Sequence, residues 1–201
     1  LIVLHFNTYF LFNTYFLTMA NYSLYIATSL DGYIARLDGR IDWLPVPEEG
    51  GDDYGYQEFY DSVDAIVMGA VTYEQVLEFG EWPYPGKVTY VVSGRSHASF
   101  RDDVVMVTGG IAELLLTIRD KNYSRVWIVG GGKLASALMQ AGVVSDYQIA
   151  IIPVILGEGI PLYDSVPEQN LTLLDVRAYP DGVVSLHYRN QTEAHPSQPG
   201  C

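Results

Sequence analysis

The stretch Arg125–Tyr163 constrains this chain more than any other. It opens with Val126-Trp127-Ile128-Val129, a β-branched and aromatic run without polar interruption, which is the pattern of a strand buried on both faces. Gly130-Gly131-Gly132 follow. Leu134, Leu138 and Ala141 then recur at helical spacing, and Gly142 stops the pattern. A strand that enters a helix through three glycines lets the backbone approach a ligand closely. It also turns the unpaired N–H groups of the first helical turn toward an anion. The expected anion is a phosphate. The same glycines would also serve simply to pack the helix on its strand, and the stretch alone leaves both readings open.

A length of 201 residues, 49% hydrophobic and 17% charged, is that of one domain with a full core. The formal net charge of −13 repels nucleic acids and anionic membrane surfaces, which need basic faces. It also means that a bound phosphate has to be held by local donors. Cys201, the one cysteine, can form no internal disulfide, which fits a reducing cytoplasm. His5, His97, His187 and His195 are scattered, so no metal site is expected.

Residues 1–18 are unlike the rest. FNTYFL at Phe6–Leu11 is copied at Phe12–Leu17, and no Lys, Arg, Asp or Glu occurs. The segment lacks the basic start and small-residue end of a signal peptide, and its Asn and Thr residues interrupt any membrane span. The expected start of the native protein is Met19, with the repeat a non-native or vestigial leader. One domain is expected over 19–190, and a frayed tail over 191–201.

Behind Met19 the predicted elements alternate. Strands are expected at Tyr22–Thr28, Asp64–Met68, Lys87–Val92 and Val104–Val107, and a brief extended piece at Tyr33–Ala35. Helices are expected near Tyr54–Ser62 with Phe59 and Val63 inward, at Ala70–Phe79 with Val71, Val76 and Leu77 apolar, and at Ile111–Arg119. The loop Gly39–Gly51 holds Trp43 and Leu44 and is expected to lie over a cleft. After the opening stretch, Tyr147–Leu156 reads as a long strand whose Pro153 implies a bulge or an edge. Leu171–Ala178 and Val183–Tyr188, joined by Pro180-Asp181-Gly182, read as a hairpin. The fold class is α/β: a mixed, mostly parallel sheet of about eight strands, helices on both faces, and a C-terminal antiparallel hairpin.

Three separated pieces coincide with one family pattern. IATSLDGYIA at Ile26–Ala35, VMGAVTYE at Val67–Glu74, and VGGGKL with its distal PVILGEGIPLY resemble the dihydrofolate reductase superfamily, most of all its riboflavin-biosynthesis-type reductase branch. The resemblance implies that fold, NADPH as cofactor, and frequent homodimers. It implies that Ala27 offers its backbone to the nicotinamide carboxamide, and that Gly69 and Thr72 sit at a helix start near the pyrophosphate. Ser93 and Arg95 would meet the adenosine 2′-phosphate, and Gly130, Gly131, Gly132, Lys133 and Leu134 would cradle the pyrophosphate. Read from its own chemistry, Arg95 suits a phosphomonoester, or is a solvated turn cation.

The chain also departs from the pattern. Ala70 and Val71 stand where dihydrofolate reductases usually carry basic residues. Gly130 stands where the riboflavin branch usually carries a glutamate that holds its pyrimidine.

Hydride transfer asks the protein to hold the nicotinamide against the acceptor, exclude water and supply one proton. Asp31 and Asp53 are the candidates for the proton, directly or through water, although Asp31-Gly32 is also ordinary turn chemistry. Trp43 and Phe59 are the candidate walls of the substrate pocket, or else core. The expected function is a cytoplasmic NADPH-dependent reductase acting on a C=N or C=O bond of a small heterocyclic substrate. The alternatives are the 5-amino-6-(5-phosphoribosylamino)uracil reductase of riboflavin biosynthesis, and a non-catalytic nucleotide-binding or dimerising module.

Overall fold

The computed structural model describes residues 20–45, 52–95 and 101–191. The expectations for the repeat, for Met19, for His97 and for the tail beyond residue 191 lie outside these residues.

Ten strands and four helices are present among the described residues. In chain order they are β1 (Asn21–Ser29), β2 (Tyr33–Ala35), α1 (Tyr56–Asp61), β3 (Ala65–Gly69), α2 (Ala70–Glu78), β4 (Val88–Val92) and β5 (Val104–Val107). There follow α3 (Gly110–Arg119), β6 (Arg125–Gly130), α4 (Gly132–Gln140), β7 (Val144–Ile152), β8 (Ile160–Pro161), β9 (Leu171–Ala178) and β10 (Val184–Asn190). Eight strands form one sheet in the order β5-β4-β3-β6-β1-β7-β10-β9. The first six of these run parallel, and β10 and β9 are antiparallel additions. The expected architecture is therefore the observed one, with the hairpin at the outer edge. A small second sheet pairs β2, the expected extended piece, with β8; the two residues of β8 are too short for a period to announce them.

The helices divide between the faces as crossover connections require. α3 and α4 bury Leu114, Ile118, Leu134, Leu138 and Met139 against Leu24, Val67, Val126 and Ile128 on one face. α1 and α2 bury Phe59, Tyr73 and Val76 against Ile66, Met68 and Trp127 on the other.

Two elements differ from expectation. In α2 the buried residues are Tyr73 and Val76, three apart, whereas Val71 is 70% exposed and Leu77 also faces outward. The aromatic ring takes the inward stripe because Trp82 and the α1 side of the core receive it. The strand expected to run through Pro153 instead starts earlier, at Val144, and ends at Ile152. It lies between β1 and β10, where a residue without an N–H cannot continue the ladder.

Candidate active site

All six parallel strands deliver their C-terminal ends to one edge of the sheet. Ser93 follows β4, Gly69 ends β3, Gly130 ends β6, and Ala27 lies near the end of β1. These four strands are consecutive neighbours. Residues 27, 69–72, 93–95 and 130–134 are far apart in the chain, and the sheet order sets them along one edge. At the usual strand spacing they span about 14 Å. Crevices at such an edge, where the strand order reverses, are where open α/β sheets bind ligands.

The middle of this edge is open. β1 and β6 pair from Asn21↔Arg125 to Leu24↔Ile128 and then part, although both strands continue. Val129 is an extra residue in β6 relative to β3, since Val67 pairs with Ile128 and Met68 with Gly130. A bulge of this kind bends the strand end away. Alternate residues of a strand send their N–H and C=O to opposite neighbours. On the β6 side of β1, Asn21 N donates to Ser124 O, and Tyr25 O accepts from the Trp127 indole nitrogen at 3.0 Å. Ala27 is in the same phase, so its N–H and C=O face the gap.

The glycines and Thr72 close the two helix starts against each other. Gly131 N donates to Thr72 Oγ1 at 3.1 Å, joining the first turn of α2 to the entry of α4. The first bond of α4 runs from Ala135 N to Gly131 O. The N–H groups of Gly132, Lys133 and Leu134 are left without an intrahelical acceptor. Gly132 is required sterically: a Cβ there would stand 2.7 Å from Pro161 O of β8. Lys133 is exposed, while the Leu134 side chain is buried in the core, so Leu134 presents only its backbone to this edge. Ser93 is buried, and its Oγ accepts from Arg95 N at 3.1 Å, fixing the turn that carries the exposed Arg95.

The two candidate acids hold other contacts. Asp31 accepts from Ser29 Oγ at 2.6 Å, from Leu156 N at 3.1 Å and from Gly157 N at 2.7 Å. It ties the turn after β1 to the segment after β7, and these donors, Ser29 first, hold its carboxyl below the ordinary carboxylate range. Asp53 accepts from Gln57 N and Gly55 N, both at 2.9 Å, and these bonds lower its pKa as well. Both are ionised acceptors, the wrong state for a direct general acid. For Asp31 the structure gives the turn role. Asp53 builds the approach to α1 and is exposed.

Phe59 is 3% exposed, stacked on Tyr25 with ring centres 4.4 Å apart and edge-on to Trp127. It belongs to an aromatic core in which Trp127 touches Tyr25, Tyr56, Tyr60 and Tyr84, and its edge also lines the cavity beside α1. Trp43 is half-buried in a loop held on α2 by Gln75 Nε2 donating to Gly39 O at 3.1 Å. Its indole nitrogen is buried with no hydrogen-bond partner among the described residues. Such a donor is costly unless something accepts from it.

The residues missed by the sequence reading are those of the gap and of the flank. The bulge at Val129 carries no local signal because only the pairing registers reveal it. Beside α1, a cavity of about 270 Å³ is floored by Gln148, Ser185 and His187 of β7 and β10 and walled by Glu58, Arg125 and Arg177. No group of three or more His, Cys, Asp or Glu fit to hold a metal occurs among the described residues. No helix among them is long and apolar enough to cross a membrane.

Comparison with known proteins gives a consistent result. Residues 23–185 match the family described as the RibD C-terminal domain. The uncharacterized protein YwjB of Bacillus subtilis (strain 168) is 38% identical over 167 residues, covering 82% of this chain and 95% of that protein. A crystal structure from Shewanella sp. PV-4, provisionally assigned to riboflavin biosynthesis, superimposes with a TM-score of 0.78 at 30% identity, covering 86% of this chain and 99% of the other. The diaminohydroxyphosphoribosylaminopyrimidine deaminase/5-amino-6-(5-phosphoribosylamino)uracil reductase of Thermotoga maritima shares the fold. Its TM-score is 0.65 at 17% identity, covering 88% of this chain and 60% of that one.

Proposed function

The chain belongs to the RibD C-terminal domain family, and from that premise we propose that it is an NADPH-dependent reductase of a small heterocyclic C=N or C=O substrate. The observation that carries the reading is the parting of β1 and β6, which leaves the Ala27 peptide groups unpaired beside two helix starts. A carboxamide has the one donor and one acceptor that such an edge lacks. In this reading Ala27 orients the nicotinamide. The free N–H groups of Gly132, Lys133 and Leu134 hold the pyrophosphate next to Gly69 and Thr72. Ser93 fixes the turn from which Arg95 reaches a 2′-phosphate. When bound, the cofactor supplies the hydride.

The chain's own residues do the rest. Trp43, on the loop held over α2, walls the substrate pocket and helps exclude water. Because Asp53 is ionised, it acts on the proton only through a water that it orders. The place of work is the cytoplasm, and the substrate is small.

Gly130 bears on the substrate. Its φ of 153° is a conformation that side chains rarely adopt, so a glutamate at this position would be strained. That weighs against the pyrimidine ribosyl phosphate named for the Thermotoga protein and toward another flat heterocycle.

The test is a titration of the full chain with NADPH and NADH, followed by nicotinamide fluorescence, beside Arg95→Ala. Tight NADPH binding weakened roughly tenfold by the substitution, with NADH unchanged, is expected from the loss of one charge-assisted phosphate contact. Binding of neither dinucleotide would sink the reading, and the nucleotide-binding alternative with it.

A further inference from the structure

His187 is the one histidine among the described residues, and nothing in the hydride transfer outlined for Ala27 and the helix starts uses it. Its Nε2 lies 3.1 Å from Oδ1 of Asp146, whose side chain is 1% exposed. Asp146 is ionised, so Nε2 carries the proton of this bond and Nδ1 is the nitrogen left over. Nδ1 has no hydrogen-bond partner among the described residues. The ring is part of the floor of the cavity of about 270 Å³ beside α1. A histidine backed by a buried carboxylate, with its other nitrogen open to a cavity, is the arrangement of an acid–base group. A ring needed only to satisfy Asp146 would not require that opening, because Asn21 and Arg189 already donate to the same carboxylate at 2.6 and 3.3 Å.

The strand registers put this ring beside the Ala27 gap. Ala27 pairs with Ala150 of β7, and Ala150 with Ser185 of β10. One row down, Tyr25 pairs with Gln148, and Gln148 with His187. Paired residues, and residues two apart along a strand, share a face of the sheet. Tyr25 is stacked on Phe59 of α1, so both rows face α1. Ala27 and His187 are two strands and one two-residue step apart, about 12 Å between Cα atoms. In the row of Ala27 the next side chain toward the hairpin is only the methyl group of Ala150, and the cavity begins behind it at Ser185. Gap and cavity are thus two ends of one surface.

We propose that His187, held by Asp146, is the proton donor of the reduction and presents its Nδ1–H to a substrate lying over Ala150. The inference rests on the reductase reading and supplies the acid that the ionised Asp53 cannot be. The carbon of the substrate's C=N or C=O bond receives the hydride of the reduced dinucleotide, the π electrons move to nitrogen or oxygen, and that atom takes the Nδ1 proton. The ring leaves the step as neutral imidazole and regains its proton from water, which Asp53 orders. Asp146 and Arg189 stand beside the ring, Asp175 pairs opposite it on β9, and Glu58, Arg125 and Arg177 wall the cavity with the phenols of Tyr54 and Tyr179. Three carboxylates there face three guanidinium groups. Against this balanced surround the step removes one positive charge from the ring and leaves one on the nicotinamide, so the two charges are coupled.

That coupling can be read without a substrate. Imidazole 1H–15N correlation spectra of the full chain would be followed through a pH series, free, saturated with NADPH and saturated with NADP+, with H187Q to assign the signal. Glutamine still offers Asp146 an N–H donor but carries no titrating nitrogen. The neutral ring is expected to keep its proton on Nε2. Release of the other proton, from Nδ1, is expected at a pH about 0.3–1 unit lower with NADP+ than with NADPH, the Coulomb effect of one positive charge roughly 10 Å away. A neutral ring protonated on Nδ1, or identical curves with the two dinucleotides bound, would overturn the proposal. If H187Q fails to fold, H5Q, H97Q and H195Q assign the remaining signal by elimination. Failure of both dinucleotides to bind is a separate result, seen in the fluorescence titration, and removes the reductase reading itself.

Discussion

The two sides of the sheet are built on different terms. From β5 to β7 every strand is reached through a crossover, and the crossovers carry the four helices that cover both faces. β9 and β10 come from a hairpin, which brings no helix with it. The result is a buried parallel half, where side chains such as Ile66, Val67 and Ile128 have no exposure, beside a half whose outer strand is exposed along its length. The parallel half also has the open edge of strand ends, glycines and helix starts. The hairpin half has an exposed lateral edge at β9, whereas the parallel half ends laterally at β5, beside α3. The connection that follows a strand thus decides whether helices cover its faces, and with them whether its outer side chains are buried or exposed.

Equal truncations on the two sides should differ most. Ile128→Ala removes a fully buried side chain between two helical layers and is expected to cost about 2–5 kcal/mol. Leu173→Ala, at a site half open to water, should stay within about 0.5 kcal/mol. Urea unfolding of both variants at low protein concentration checks this, and comparable losses would break the contrast.

The junction of the halves gives the next effect. Asp146 of β7 is 1% exposed and accepts from Asn21 Nδ2 at 2.6 Å, pairs with His187 Nε2 at 3.1 Å and takes Arg189 at 3.3 Å. Burial raises its pKa, but Asn21, His187 and Arg189 together outweigh burial and hold it below the ordinary carboxylate value. A lowered folded pKa contributes stability that is present above the unfolded value near 3.9 and lost as pH falls through the folded one. Asp146→Asn should therefore lose roughly 3 kcal/mol at neutral pH, and the gap from the wild type should narrow in acid. A pH-independent difference in melting would remove the electrostatic account.

A smaller loss than at the buried Ile128 or Asp146 belongs to the open edge. Thr72→Val deprives Gly131 N–H of its acceptor and should cost about 1–2 kcal/mol. It should weaken NADPH binding as well, and the same melting and fluorescence measurements read both. An unchanged melt with unchanged binding would mean that the two helix starts are not coupled.

Much of this was legible in the chain itself. Val126–Val129 and the glycines that follow announce a buried strand entering a helix because burial on two faces demands unbroken β-branched side chains, and close approach demands the absence of Cβ. Pro180-Asp181-Gly182 announces the hairpin for a similarly local reason. The positions of Ala27, Thr72, Ser93 and Arg95 near strand ends and helix starts follow from the same reading.

What the sequence could not fix depends on neighbours remote along the chain. Asp31 looks equally like an acid or a turn former until Leu156 and Gly157 are brought to its oxygens. Phe59 looks equally like a pocket wall or core until the structure makes it both, packed on Trp127 and Tyr25 and lining the cavity beside α1. The gap at Ala27 opens where β6 carries one residue more than β3 pairs with, a property of registers and not of residues. Local propensity, set by each side chain and its near neighbours, thus determined the elements and the phosphate-type turn. Sheet order, register and the partners of each polar group were decided by tertiary structure, because pairing energies between distant segments have no signature in any single stretch.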